Sequence, residues 1–311
     1  MAGASNRDEE GRQWLRACSL VVGDDAGNGL ELNELRITFK TAKGDAETPN
    51  SAEISVYNLS EATASRIRRE FTQVALSAGY KANMGLIFRG NIRQVRIWRE
   101  NGVDTVLHIL AADGDRAYNF ATVNTTLAAG SRPADRVRVC QGSFSARGAG
   151  AGHLPDPGGQ PLPRGRVMYG MARDHMRDEA ANTGTDWSIQ DGQVQMVPRK
   201  GWLPGEAVLL THETGLVGTP EQTQDGVTVR ALLNPRLRVG GRIMLDNRSV
   251  RQMQTPLKAA AGQCAARLDD DGVYRIIKVE FTGDTRGNDW YADMVCVGID
   301  DTSKTPLDVR E

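Results

Sequence analysis

The sequence predicts a mainly β chain with a minor α/β part: two β-barrel-like modules and a small helix-hairpin domain between them. Three observations predict this. Apolar residues recur at every second position through the first and last thirds, the period of half-buried strands. Tight-turn dipeptides, Asn101-Gly102 and Asp191-Gly192, separate such runs. The 34 glycines and 5% aromatic content suit many turns and short strands. At 311 residues the chain exceeds the usual single-domain size. It divides into a first β module (1–115), a helix-containing middle domain (116–204) and a second β module (205–311).

Leu30, Leu32, Leu35, Ile37 and Phe39 alternate with polar residues, with one slip near Asn33 that a β-bulge would absorb. The stretch TPNSAEISVYNLS (48–60) reads as a turn, a strand and a helix start in succession. Ile54 and Val56 share one face of that strand; Ser55 and Tyr57 take the other. Ser60 supplies an N-cap hydroxyl and Glu61 a negative charge at the positive helix end. A short helix over 61–71 follows, with Ile67 and Phe71 one turn apart. Val74, Leu76, Ala78 and Tyr80 restore the period of two. Residues 92–98 and 103–111 then form a long hairpin, because Asn101-Gly102 accepts the positive φ angles of a type I′ turn.

Between Asp113 and Gln141 the pattern is mixed, apart from a helix start near Arg132-Pro133-Ala134-Asp135. Residues 142–166 are Gly/Pro-rich and aperiodic, which predicts a linker or long exposed loop. Met168, Met171, Ala172 and His175 fall at i, i+3, i+4 and i+7, one face of a helix. That helix stops near Asn182-Thr183-Gly184, where glycine takes the left-handed C′ position. A second hairpin over 187–197 turns at Asp191-Gly192. The last third predicts short strands over 207–212, 216–217, 227–233 and 237–245. They are broken at Gly218-Thr219-Pro220, Asp225-Gly226, Asn234-Pro235 and Gly240-Gly241. A long hairpin then pairs 273–281 with 290–297, joined by TGDTRGND, a connection too polar for a core. Each long hairpin precedes an acidic element, Ala112-Asp113-Gly114-Asp115 and Gly298-Ile299-Asp300-Asp301, which argues weakly for two related modules.

Hydrophobic residues make up 40% of the chain, charged residues 25%, and the formal net charge is −1. That balance argues against a dedicated nucleic-acid binder. No apolar run approaches the roughly 20 residues needed to span a bilayer. The polar, acidic start MAGASNRDEEGR lacks a signal-peptide core, so the chain is expected to begin in the cytoplasm. Cys18, Cys140, Cys264 and Cys296 lie far apart without a CxxC pair, which reads as buried free thiols.

Candidate chemistry is sparse. His108 sits in a hairpin strand, His153 in the Gly/Pro stretch, and His175 on the apolar side of its helix. His212 stands beside Glu213 but lacks the second histidine of a zincin motif. Asp113 and Asp115 are close in sequence, yet glycosidase carboxylates must flank a sugar at about 5 to 10 Å, and turn or cap roles are commoner. Asp269, Asp270 and Asp271 before Gly272 resemble a calcium-loop fragment without its spaced ligands or closing glutamate, and read as a solvated turn. No GxSxG elbow, P-loop or strand-GxGxxG-helix occurs. Arg89, Arg93, Arg96 and Arg99 crowd one hairpin strand, and Arg89, Arg93 and Arg99 share strand parity if no bulge intervenes. Such a stripe suits a solvated face or an intersubunit salt-bridge surface as well as nucleic acid. No catalytic, cofactor-binding or metal-ligating residue is assigned, no cofactor is implied, and the chain is read as a non-enzyme.

Six segments add a family likeness: TPNSAEISVYNLS (48–60), GLIFRGNIRQVR (85–96), NGVDTVLHILAADGDRAYNFATVNTTLAAG (101–130), LPRGRVMYGMAR (162–173), TGLVGTPEQTQDGVTVRALLNPRLRVGG (214–241) and GDTRGNDWYADMVC (283–296). In this order, over nearly the whole chain, they resemble the tail or baseplate hub proteins of tailed bacteriophages. The resemblance implies tail-tube-related β modules, two per subunit, in a homotrimeric ring. Six modules would meet a hexameric tail tube on one face, and threefold symmetry a trimeric spike on the other. It implies as partners the tail-tube or distal tail protein ring, the central spike protein and the tape-measure protein, with DNA only in transit. It also implies a place at the tail tip or baseplate of the virion, after assembly in the host bacterial cytoplasm. The alternatives are a cell-wall-degrading tail enzyme (a peptidoglycan hydrolase) and a tail-tube or adaptor subunit. No lysozyme or peptidase segment is recognisable, so the hub reading leads. Because a basic lining would hold phosphates, the arginine-rich hairpin is expected away from the channel.

Overall fold

The computed structural model describes residues 13–24, 27–223, 226–246, 250 and 272–298. The first third holds strands β1 (Arg16–Gly23), β2 (Gly29–Leu32), β3 (Ile37–Gly44), β4 (Ser51–Tyr57), β5 (Gln73–Tyr80), β6 (Asn83–Glu100) and β7 (Asp104–Ala112). Helix α1 (Glu61–Glu70) lies between β4 and β5. The middle holds α2 (Asp115–Phe120), β8 (Thr122–Leu127), α3 (Pro133–Ser145), β9 (Gly150–Ala151), β10 (Arg166–Met171), α4 (Ala172–Thr183), β11 (Thr185–Gln190) and β12 (Gln193–Pro198). Strands β13 (Val208–Leu209), β14 (Glu221–Gln222), β15 (Val227–Leu232), β16 (Arg242–Met244), β17 (Val273–Asp284) and β18 (Trp290–Gly298) follow. The chain is mainly β, as its alternating pattern predicts.

The first and last thirds share one sheet. Its path runs β14-β15-β18-β17-β3-β4-β7-β6-β5-β1-β2, with β16 on β17 and β13 on β16. Among the described residues this path keeps two ends and closes no barrel. The seam is β17 against β3, antiparallel from Lys278 opposite Gly44 through Asp284 opposite Thr38. Alternation turns Phe39, Val279 and Phe281 inward, so one core runs from Leu20 and Ile54 to Val229 and Met294. Between these thirds a second core gathers Phe144, Met168, Met176, Trp187 and Met196.

Local chemistry explains the elements that were foreseen. Ala52, Ile54 and Val56 are buried on alternate positions of β4. Ser60 Oγ accepts from Thr63 N–H at 3.2 Å and caps α1. Asn101 and Gly102 take φ 52° and 73°, and Asp191 and Gly192 take 55° and 77°. Both hairpins thus turn on paired positive φ values. Gly184, at φ 64°, ends α4.

Several expectations are corrected. Residues 30–39 are two strands rather than one bulged strand, because residues 33–36 carry the chain from the sheet's β2 end to β3 in its middle. Residues 168–171 are strand, not helix. Met168 pairs opposite Thr125 of β8 and is buried between exposed Val167 and Tyr169, so the period of two wins over the i, i+3 spacing. The stretch 142–166 starts inside α3, contributes β9 beside β12, and is tied back by Gly130 N–H to Leu162 O (2.7 Å) and Leu162 N–H to Ser131 O (3.0 Å). The strand expected over 207–212 shrinks to Val208–Leu209, and 216–217 makes a single bridge, Leu216 to Ala231. Within 237–245 only β16 (Arg242–Met244) is strand; the residues before it are irregular, held by bonds from Leu237 N–H to Asn234 O and Gly241 N–H to Arg238 O. Helix α2 and strand β8 answer to no clear period and were not foreseen.

The seam is closely packed at Gly283. A Cβ there would overlap the Phe39 ring, which sits edge-on to Trp290 at 5.6 Å between centroids. Gly283→Ala is expected to cost about 1–3 kcal/mol by overpacking. A urea titration would read this as a lower midpoint at unchanged slope.

Candidate functional site

Asp113, one of the two neighbouring carboxylates that the sequence reads as turn or cap residues, ends up where the middle unit docks on the sheet. It follows β7 and is fully buried. Its carboxylate accepts from the backbone N–H of Asp191, and from that of Gly192 at 2.8 Å. These are the two turn residues of the β11–β12 hairpin. Lys43, on the inward face of β3, places Nζ 2.7 Å from both carboxylate oxygens of Asp191 and 3.2 Å from the Ile87 carbonyl. Asn50 donates to Ile189 O at 2.9 Å and to Gln190 Oε1 at 3.0 Å, and accepts from Gly44 N–H at 2.9 Å. Gly114 adopts φ 60° against Ile189, with no room for a Cβ.

Burial pushes the Asp113 carboxyl up to about 7, with nearby Asp191 adding to the rise and Lys43 and the two N–H donors opposing it. Asp115 has different partners: it accepts from Asn119 Nδ2 at 3.0 Å and lies 3.6 Å from Arg93 Nε. The carboxylate of Asp113 is therefore spent on backbone donors, an arrangement that fixes a hairpin in place.

Two further contacts join the same units. Arg275 of β17, 3% exposed, donates through Nη1 to the carbonyls of Pro198, Arg199 and Gly201 at 2.9, 3.1 and 3.3 Å. Its Nη2 lies 3.3 Å from Asp45 and 3.9 Å from Asp186. Arg177 of α4 grips Glu47 at 2.7 and 2.9 Å. Sequence reading passed over Lys43, Asn50 and Arg275. Lys43 did carry a signal, since it continues the inward face set by Phe39 and Thr41.

The other candidates stay apart. His108 lies in β7 opposite Ser55 and Arg96, 5.5 Å from the Trp98 ring. His153 is half-buried in the stretch after β9, its carbonyl accepting from Met196 N–H. His175 is half-buried on α4, and His212 is exposed in a turn. Burial pushes the thiols of Cys18 and Cys140 up to about 12, and that of Cys296 higher. Cys264, Asp225, the triad Asp269, Asp270 and Asp271, and the acidic element at 299–301 lie outside the described residues. Among the described residues, no three His, Cys, Asp or Glu side chains gather as a metal site. Arg89, Arg93, Arg96 and Arg99 are all exposed, but the expected stripe is broken: the β6–β7 register shifts between Ile92 and Gln94.

No protein-family model and no curated protein matches the sequence. Solved structures do share its fold. The 43 kDa tail protein of prophage MuSo2 from Shewanella oneidensis is similar with a TM-score of 0.55 at 7% identity, over 91% of this chain and 98% of that one. The tail protein from Neisseria meningitidis MC58 is similar with a TM-score of 0.55 at 9% identity, over 92% and 97%. A type VI secretion component from E. coli gives a TM-score of 0.53 at 9% identity, over 89% and 77%. That protein is described as structurally similar to the T4 bacteriophage tail proteins gp27 and gp5. This chain therefore has a fold found in phage tail proteins, from near one end to the other.

Proposed function

We propose that this chain is a structural subunit of a phage-type tail, acting at the tail tip or baseplate of the virion as the hub between tube and spike. The observation that carries the reading is the end-to-end match of architecture to a prophage tail protein, covering 91% of one chain and 98% of the other. In this reading the parts 1–115 and 205–311 are two tube-related lobes, and 116–204 is a docked middle unit. Three copies then present six lobes to a sixfold tube or distal tail ring, and threefold symmetry to a central spike. The tape-measure protein ends on the ring, and DNA passes through its lumen.

Two features support the reading. The shared sheet offers two different ends, β2 and β14, and a heterologous contact between unlike surfaces closes a ring when each copy turns by a third of a circle. The polar groups of the best-buried cluster serve to seat the middle unit, which favours a connector over a peptidoglycan hydrolase. The arginine-bearing arm faces away from the channel in this arrangement, since phosphates would linger on it.

The test is the mass of the purified assembly by light scattering. A particle of three times 33.8 kDa is expected, with interfaces on the order of 2,000 Å² or more each. A hexamer would transfer the chain to the tube, and cell-wall clearing lost on Asp113→Asn would make it an enzyme.

A further inference from the structure

The outer halves of β6 and β7 form an arm with a groove beside it that the hub reading leaves without a role. Strand β5 pairs with β6 only as far as Asn91, opposite Gln73. Beyond the bulge, from Gln94 to Glu100, β6 pairs with β7 alone. One backbone edge of this stretch therefore has no neighbouring strand. Ile97, Trp98 and Arg99 of the same stretch line a cavity of about 860 Å³, with Arg68 and Arg69 of α1 opposite them.

The groove's chemistry is one-sided. Ile97 and Trp98 are 41% and 43% exposed, an apolar pair beside the strand edge. Arg68, Arg69 and Arg99 form no salt bridge among the described residues, and Glu61 is the single acid among the residues lining the cavity. Elsewhere Arg93 of β6 has Asp115, Arg36 beside β3 has Asp284, Arg66 of α1 has Glu70 and Arg230 of β15 has Asp293.

We propose that this groove binds an acidic, extended polypeptide segment of a partner protein, which adds as a strand to the open edge of β6. Its main chain would satisfy the edge, its carboxylates would face Arg68, Arg69 and Arg99, and an apolar side chain would cover Trp98. Main-chain bonds give such a contact its affinity and register, and the guanidiniums select the sign of the guest. A nucleic acid matches the charge but has nothing to offer a strand edge. The inference does not depend on the ring stoichiometry.

The full-length protein is titrated calorimetrically with a seven-residue peptide alternating glutamate and valine. Three further probes are its lysine–valine counterpart, the acidic peptide with alternate amides N-methylated, and a single-stranded oligonucleotide of equal charge. The acidic peptide is expected to bind, and neither the lysine peptide nor the N-methylated one to do so. Raising salt from 50 to 500 mM should weaken binding, as screening requires. Changing Arg68, Arg69 and Arg99 together to glutamine should weaken it at least tenfold, while Arg99→Lys keeps most of it. An unchanged melting temperature for both variants separates lost contacts from lost fold. The proposal is overturned if the acidic peptide fails to bind at millimolar concentration, if N-methylation is harmless, or if the oligonucleotide binds more tightly. It is equally overturned if Trp98→Ala dissociates the protein's own oligomer, which would make a second copy the occupant. The scattering mass reports on the ring separately, so either reading can fail alone.

Discussion

Arg275→Ala is expected to lower the unfolding free energy by about 3–5 kcal/mol, the scale for removing one member of a buried charge network. The guanidinium is almost fully enclosed and holds three carbonyls at the end of β12 and in the turn after it, together with the carboxylate of Asp45. Alanine would strand that carboxylate, itself 7% exposed, in a place solvated only at the cost of opening the junction. Arg275→Lys should recover only part of the loss, because an ammonium cannot fork to several carbonyls and a carboxylate at once. Denaturant titrations at pH 7 measure both. A loss below about 1 kcal/mol, the scale of an exposed ion pair, would show that this arginine does not hold the middle unit on the sheet.

Asp113→Asn should change how stability responds to pH. With the native carboxyl near 7 and the unfolded one at its ordinary value near 3.9, the folded chain binds the extra proton between those values. Stability contributed by this group is then fully present below about pH 4 and lost as pH rises to about 7, with no further slope above. A shift of this size corresponds to roughly 4 kcal/mol across the window at 1.36 kcal/mol per unit. Asparagine does not titrate, so the wild-type advantage over the variant should shrink steadily from pH 4 to 7.5. A constant offset is also expected, because the amide can accept from only one of the two N–H donors that the carboxylate now serves. Parallel stability curves over that range would refute the raised value.

What the residues announced by themselves was mostly local. The alternation of Ala52, Ile54 and Val56, the cap at Ser60 and the positive-φ pairs at 101–102 and 191–192 each need only near neighbours, and each was legible. Met168 was misread because its spacing to Met171 and His175 suits a helix, while its neighbours Val167 and Tyr169 point to a strand. Only packing against the second core decides between the two periods. The arginine stripe failed for a similar reason: a single extra residue between Ile92 and Gln94 changes which face every later side chain takes. The buried cluster of Asp113, Lys43, Asn50 and Asp191 draws on three separate parts of the chain. Its members look like ordinary turn and strand residues until the β11–β12 hairpin reaches them.

The β3–β17 seam has a consequence for biosynthesis. Arg36 and Asp284, which pair beside it, are 248 positions apart. At about 5–20 residues per second, β3 leaves the ribosome roughly 10–50 s before the strand that will cover its open side. Throughout that interval the nascent chain exposes a hydrogen-bonding edge flanked by Phe39 and Thr41, a template for pairing with the wrong partner. Fast or chaperone-shielded translation therefore favours the native product, and the yield of folded protein is limited by the moment at which β17 emerges.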